Sequence, residues 1–184
     1  MTQGAHNNHA TFLPARFTAT IAALIWICAP AQIHGQPAGC SLVPDSTNPA
    51  EKILRCGESL TIRAAPDTRY GLSGQDRQQQ PTGAQIESGA LLIEFTPSER
   101  RRQFQILTPH AIAAVRGTKW AVEVAGDRSS TLVLAGTVEV RRLRQRRGPL
   151  LRAGEGADVS PGTSAIVVKT WAPERVDALL ARFK

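Results

Sequence analysis

The sequence predicts an all-β protein, a twisted β-solenoid-like or β-sandwich domain with a C-terminal amphipathic α-helix, and three observations lead there. Glycine (15) and proline (12) are plentiful while aromatics make up only 5% of the 184 residues, a composition that suits short strands joined by turns. From Leu60 onward, short apolar or alternating runs recur about every eight to twelve residues, the spacing of a sandwich or solenoid. Only the C-terminal stretch, 171–184, carries an apolar period of about 3.6 residues.

In chain order, residues 1–31 read as a secretory signal. A polar start with one cation, Arg16, leads into Phe17–Cys28, apolar but for Thr18 and Thr20, and Ala29-Pro30-Ala31 supplies the small-x-small pattern for cleavage between Ala31 and Gln32. The apolar run is roughly a dozen residues, whereas a spanning helix needs about 20. The expected location is therefore periplasmic, reached through a cleavable signal peptide. Lipidation at Cys40 is the competing reading, since Pro37-Ala38-Gly39 has the small residues found before a lipid-bearing cysteine; against it, a proline stands where an aliphatic residue is wanted.

Loss of the signal removes Arg16 and Cys28, so the net charge of +7, from 22 Lys and Arg against 15 Asp and Glu, becomes +6. Two cysteines remain, Cys40 and Cys56, sixteen residues apart and flanked by Gly39 and Gly57. In an oxidising compartment such a pair favours a disulfide over a metal site, which wants more ligands; two buried free thiols are the alternative. Both cysteines belong to residues 32–58, a lead-in rich in Pro, Asn and Ser with no periodicity, read as extended.

The β domain is expected over 59–170, with its core at 90–160. Leu60-Thr61-Ile62-Arg63 alternates and stops at Ala65-Pro66-Asp67, a turn. The Gln-rich stretch from Ser73 to Gly83 reads as a solvent loop. Ala90–Phe95 and Phe104–Leu107 are strands, each ending in Thr-Pro, which marks an edge or corner because proline cannot donate to a ladder. Trp120, Val122 and Val124 fall on one face of the next strand and Lys119, Ala121 and Glu123 on the other, so one face is read as core and one as wet. Gly126–Ser130 reads as a hairpin loop, Thr131–Leu134 as the return strand, and Thr137–Arg141 as its alternating continuation after Gly136. Leu150-Leu151, Ala157–Val159 and Ile166–Val168 supply three more short strands. In the final segment, Pro173 suits a first helical turn and Val176, Leu179, Leu180 and Phe183 form one apolar stripe that must be buried, against an open sheet or solenoid end.

Thr108-Pro109-His110-Ala111-Ile112-Ala113-Ala114-Val115-Arg116-Gly117-Thr118, running into the alternating strand Lys119–Val124, resembles the core signature of FecR domains. Leu134–Val140 around Gly136 is similar to the family's second element and Leu151–Ala157 around Gly154 to its third. The resemblance covers about residues 90–160 and implies an exported all-β domain. It makes Thr108, Pro109, Val115, Arg116, Gly117, Thr118, Gly136 and Gly154 the family-signature positions. Well-known FecR proteins are transmembrane regulators of iron uptake that hold a sigma factor inside and sense a transporter outside. This sequence departs from that plan, with no cytoplasmic segment ahead of its apolar run and little chain after residue 160, so the resemblance implies recognition rather than direct sigma-factor control.

Catalysis is not expected. His34 and His110 are the histidines remaining after export, no His/Cys/carboxylate cluster has ligand spacing, and Gly154-Glu155-Gly156 leads into a strand where a phosphate loop opens a helix. Glu155 and Asp158 lie close in sequence but read as turn residues, and no cofactor, metal or small-molecule substrate is expected. Export and charge together disfavour nucleic acid and favour a protein partner in the cell envelope, or an anionic surface. A cell-wall or polysaccharide-binding module is the rival; it needs a row of exposed aromatics, for which the mature chain offers Trp120, Trp171 and Tyr70. The candidate contact is the arginine segment Arg141, Arg142, Arg144, Arg146 and Arg147, read as an extended, solvated hairpin tip, with Arg100, Arg101 and Arg102 as neighbours. It either keeps the protein soluble or docks carboxylates or phosphates through guanidinium forks.

Overall fold

A computed structural model of the chain describes residues 39–45, 52–98 and 103–184. The signal segment, its cleavage point, His34 and Arg100 to Arg102 lie outside the described residues.

The architecture turns on one long strand shared by two sheets. That strand, β5 (Gly83–Phe95), pairs through its first half with β4 (Arg69–Ser73) and, in parallel, with β6 (Phe104–Leu107). Its second half pairs with β3 (Leu60–Ala64) and β8 (Thr118–Ala125). The change of sheet falls at Gly89, whose φ of +93° and close approach to Thr68, 2.6 Å from an added Cβ to the Thr68 Cα, leave no room for a side chain. From this junction the first sheet runs outward through β3 to β2 (Lys52–Cys56) and β1 (Cys40–Pro44), and on the other side through β8 to β9 (Arg128–Ala135), β12 (Glu155–Val159) and β13 (Val168–Thr170). The second runs from β6 to β7 (Ala111–Val115), β10 (Thr137–Arg142) and β11 (Leu150–Arg152). Gly154 N–H donates to Val133 O at 2.9 Å, tying the β11–β12 turn to β9, so the curled sheet comes close to closing as a barrel. The all-β expectation with a C-terminal helix holds. Apart from the parallel β5–β6 pair the ladders are antiparallel, so the sheet curls rather than stacking parallel rungs.

Apolar alternation places the core between the two sheets. Trp120, Val122 and Val124 are buried there as their spacing predicts, together with Ile86, Leu91, Ile93, Ile106, Val138, Val140 and Leu151. Phe95, Phe104 and Trp120 form a chain of rings with centroids 5.9 and 6.4 Å apart, tilted arrangements that suit the ring quadrupoles.

A second apolar layer lies on the opposite face of β5, β8 and β9. Helix α1 (Pro173–Leu180) and the 3₁₀ turn Ala181–Phe183 lay Leu179 and Phe183 against Ala65, Ala90, Ala121, Leu132 and Trp171, with Val176 and Leu180 half-buried at the margin. The small residues beneath let the helix approach closely, and burying Leu179 and Phe183 stabilises by roughly 1.5–3 kcal/mol each. Here the expectation of one wet face is corrected: Ala121 is fully buried, because the helix covers that face.

Several elements were not anticipated. β1 and β2 form an antiparallel pair inside the lead-in, with Cys40 directly opposite Cys56 and a disulfide joining them, so Cys40 is engaged as a cystine. β4 and β7 carry no strong alternation, and β5 begins at Gly83, seven residues before the apolar run that announces it. The expected strand Ile166–Val168 shifts to Val168–Thr170, and the loop Gly126–Ser130 tightens to a turn at Gly126-Asp127, its last three residues belonging to β9.

Candidate functional site

The family-signature residues are built into the frame. Thr108 is buried at the β6–β7 corner; its hydroxyl donates to Ala111 O at 3.0 Å and accepts the N–H groups of His110 and Ala111 at 3.2 and 2.8 Å. One side chain thus satisfies the turn that Pro109 opens. Val115 is core, and Thr118 is buried with its hydroxyl donating to Thr137 O at 3.1 Å. Gly117, Gly136 and Gly154 all have positive φ, at +78°, +84° and +81°, and close the β7–β8, β9–β10 and β11–β12 turns. The first two meet: a Cβ on Gly136 would stand 2.4 Å from Gly117 O. Pro109, Arg116, Gly136 and Gly154 are exposed, and Arg116 lines a cavity of about 360 Å³ with Gln103, Glu139 and Leu150.

The arginine segment divides in two. Arg141 and Arg142 are half-buried at the end of β10, where Arg141 donates to Gln145 O at 2.8 Å and Arg142 to Ser160 O and Ser164 O at 2.6 and 2.9 Å. Arg144, Arg146 and Arg147 are exposed, with no ion pair or hydrogen bond among the described residues. The expected extended tip is corrected to a folded one: Gln145 N–H donates to Arg142 O at 3.0 Å, Gly148 N–H to the Glu139 carboxylate at 3.0 Å and Val140 N–H to Pro149 O at 3.1 Å. Charge repulsion is offset by these backbone bonds, which present three guanidinium groups from a short turn.

Beside this tip lies a groove of about 500 Å³. One wall is Arg142, Leu143, Arg144 and Gln145, another is Pro109 and His110, and the third is the loop from Ser160 to Thr163. Arg142 fixes that third wall through its two carbonyl bonds. Leu143 is 45% exposed, a cost in water that a bound apolar group would remove. His110 Nδ1 lies 2.9 Å from Ser129 Oγ, but Ser129 is buried, so the pair orients the ring and offers no accessible nucleophile. Sequence reasoning missed the Pro109–His110 and Ser160–Thr163 walls, which no local pattern marks.

The two carboxylates close in sequence do not act as a pair. Glu155 accepts the Arg152 N–H at 2.7 Å, whereas Asp158 accepts from Ser130 at 2.7 Å and from both Arg175 nitrogens at 2.5 and 3.0 Å. Partial burial pushes the Asp158 carboxyl up, but the Arg175 and Ser130 hydrogen bonds and the Arg175 and Arg128 charges outweigh it and hold it below its ordinary value. Arg175 also stacks on Trp171, 3.5 Å from the ring centroid. Trp120 and Trp171 are buried and Tyr70 half-buried, so these residues form no exposed aromatic row.

The comparisons with known proteins match this frame. A family model described as FecR protein matches residues 47–139, just over half of the chain. No curated protein matches. Two crystal structures, each of a proposed anti-sigma factor from Parabacteroides distasonis ATCC 8503, at 1.65 and 2.50 Å resolution, superpose with a TM-score of 0.50 at 17% identity. The alignments cover 78% of this chain and 61% of theirs, so the chain spans less than two thirds of those proteins, and the likeness is one of fold. Of the groove, only Pro109 and His110 fall inside the family match; the arginine tip and the Ser160–Thr163 loop lie beyond it.

Proposed function

This chain belongs to the FecR family, and from that premise we propose that it is a non-enzymatic recognition domain, exported to the periplasm, that binds a protein partner in cell-envelope signalling. Family membership supports a regulatory role, and the neighbours' description as proposed anti-sigma factors agrees with it. The observation that carries the reading is the division of labour: most signature residues serve turns and core, while a basic, partly apolar groove, with Pro109 on one wall, lies open beside them. Frame and open surface of this kind suit binding, in which a rigid scaffold presents a variable loop. Export is supported by the signal-like segment 1–31 and by the Cys40–Cys56 disulfide, a bond of oxidising compartments.

The test is photo-crosslinking in the native host, with a photoreactive residue placed in turn at exposed positions around the β unit. The expected result is one discrete protein adduct in the periplasmic fraction, formed from a contiguous set of positions. Adducts from no position, retention of the protein in the cytoplasm with Met1 intact, or binding to purified cell-wall polymer in place of protein would overturn the reading.

A further inference from the structure

We propose that the groove between the arginine tip, the Pro109–His110 corner and the Ser160–Thr163 loop docks an acidic segment of the protein partner, which seats an apolar side chain in the groove and sets carboxylates against Arg144, Arg146 and Arg147. The inference rests on the recognition reading above and names the chemistry of what is recognised.

Three features of the site point to that occupant. First, the charge is one-sided: the segment 141–147 holds five arginines and no carboxylate, and no Asp or Glu lines the groove. Arg141 and Arg142 bond carbonyls, which engages some of their N–H groups without cancelling their charge. Arg144, Arg146 and Arg147 have no carboxylate partner among the described residues, and a guanidinium matches a carboxylate through two parallel bonds. Second, Leu143, Pro109 and Pro161 give the groove apolar walls, and its volume of about 500 Å³ falls within the range of about 300–1,000 Å³ that admits a compact ligand. Third, the walls are preformed. Arg142 holds the Ser160–Thr163 loop, the Thr108 hydroxyl holds the Pro109–His110 corner, and backbone bonds hold the tip, so little ordering opposes binding.

The concave shape favours a protein segment over a lipid surface, because a bilayer accepts a protruding apolar tip whereas Leu143 here forms part of a groove wall. Single-stranded nucleic acid would want aromatic platforms, and the groove has no Phe, Tyr or Trp.

The experiment uses the mature protein and a short labelled peptide with a central Leu-Phe pair flanked by glutamates, followed by fluorescence anisotropy. Control probes are the glutamine-flanked peptide, a glutamate-flanked peptide with Gly-Ser at its centre, and phosphatidylglycerol vesicles. Binding should weaken about tenfold or more in the variant carrying Arg144→Ser, Arg146→Ser and Arg147→Ser, corresponding to about 1.4 kcal/mol or more. It should weaken severalfold in Leu143→Ser, and fall with salt as exposed charges are screened. Unchanged melting temperatures identify both variants as folded. No binding at millimolar peptide, equal binding by the triple variant, equal binding of the glutamine-flanked or Gly-Ser peptide, or vesicle binding without peptide binding would each overturn the proposal. In the crosslinking assay, a triple variant that keeps the partner adduct would place the docking face elsewhere while leaving recognition standing. A wild type that forms no adduct would remove the recognition reading itself.

Discussion

The helix-covered face and the arginine tip both carry apolar and charged side chains, and among the described residues the helix face pairs them while the tip leaves most of them exposed. On the helix face, Leu179 and Phe183 are buried against small residues of β5 and β8, Arg182 pairs with Glu123, and Arg175 is held between Asp158 and the Trp171 ring. At the tip, Leu143 is 45% exposed and three arginines have no partner among the described residues. Both regions combine leucine with arginine. What differs is the supply of carboxylate partners and of a complementary apolar surface nearby, so one region contributes to stability and the other stays exposed.

The comparison breaks most sharply at Leu179→Asp, which removes a buried side chain and places a carboxylate between helix and sheet. A loss of about 3–5 kcal/mol is expected in chemical denaturation; an unchanged midpoint would mean that the stripe is not packed as described. Reducing the Cys40–Cys56 bond should cost about 3 kcal/mol, since it closes a loop of sixteen residues. That loss serves as a reference common to both regions and should leave peptide binding intact well below the melting temperature. Thiol labelling of the denatured, unreduced mature protein should find no free cysteine.

Gly156→Ala sharpens the contrast from the sheet side. An added Cβ would stand 2.2 Å from Trp171 Nε1 and 2.8 Å from Thr131 O, so the ring that Arg175 stacks on must shift, at a cost of about 1–3 kcal/mol. Arg175→Ala acts on the same corner more gently, because both partners are substantially exposed and the expected effect is below about 1 kcal/mol. Its sign with pH is set by Asp158, whose folded pKa is lowered. The ionised pair contributes its stability above the ordinary carboxylate value of about 3.9 and loses it as pH falls through the folded value. The difference between wild type and variant should therefore be present at pH 7 and vanish in strong acid. The smallest effect belongs to the tip: changing Arg144, Arg146 and Arg147 to Ser should move stability by no more than about 0.5 kcal/mol. A large loss there would show that the tip, like the helix face, is already partnered.

Much of this was legible in the sequence, because its signals are short-range. Alternation at Trp120, Val122 and Val124, the helical period from Val176 to Phe183, the cysteine spacing and the FecR signature each depend on residues close along the chain. Strands without strong alternation escaped: β4 and β7 hold their places through their ladders with β5, β6 and β10, which no local pattern encodes.

The sequence by itself determined the all-β class, the C-terminal helix and the signature turns at Gly117, Gly136 and Gly154, since periodicity and glycine placement act within a few residues. Only the tertiary structure decided that β5 serves both sheets, that Ala121 is covered rather than wet, and that Arg142 is committed to the carbonyls of Ser160 and Ser164 while Arg144 lines an open groove. Those outcomes depend on which distant segments pair. The groove joins residues 109–110, 142–145 and 160–163, and their meeting is a consequence of strand order in the sheet rather than of any local pattern.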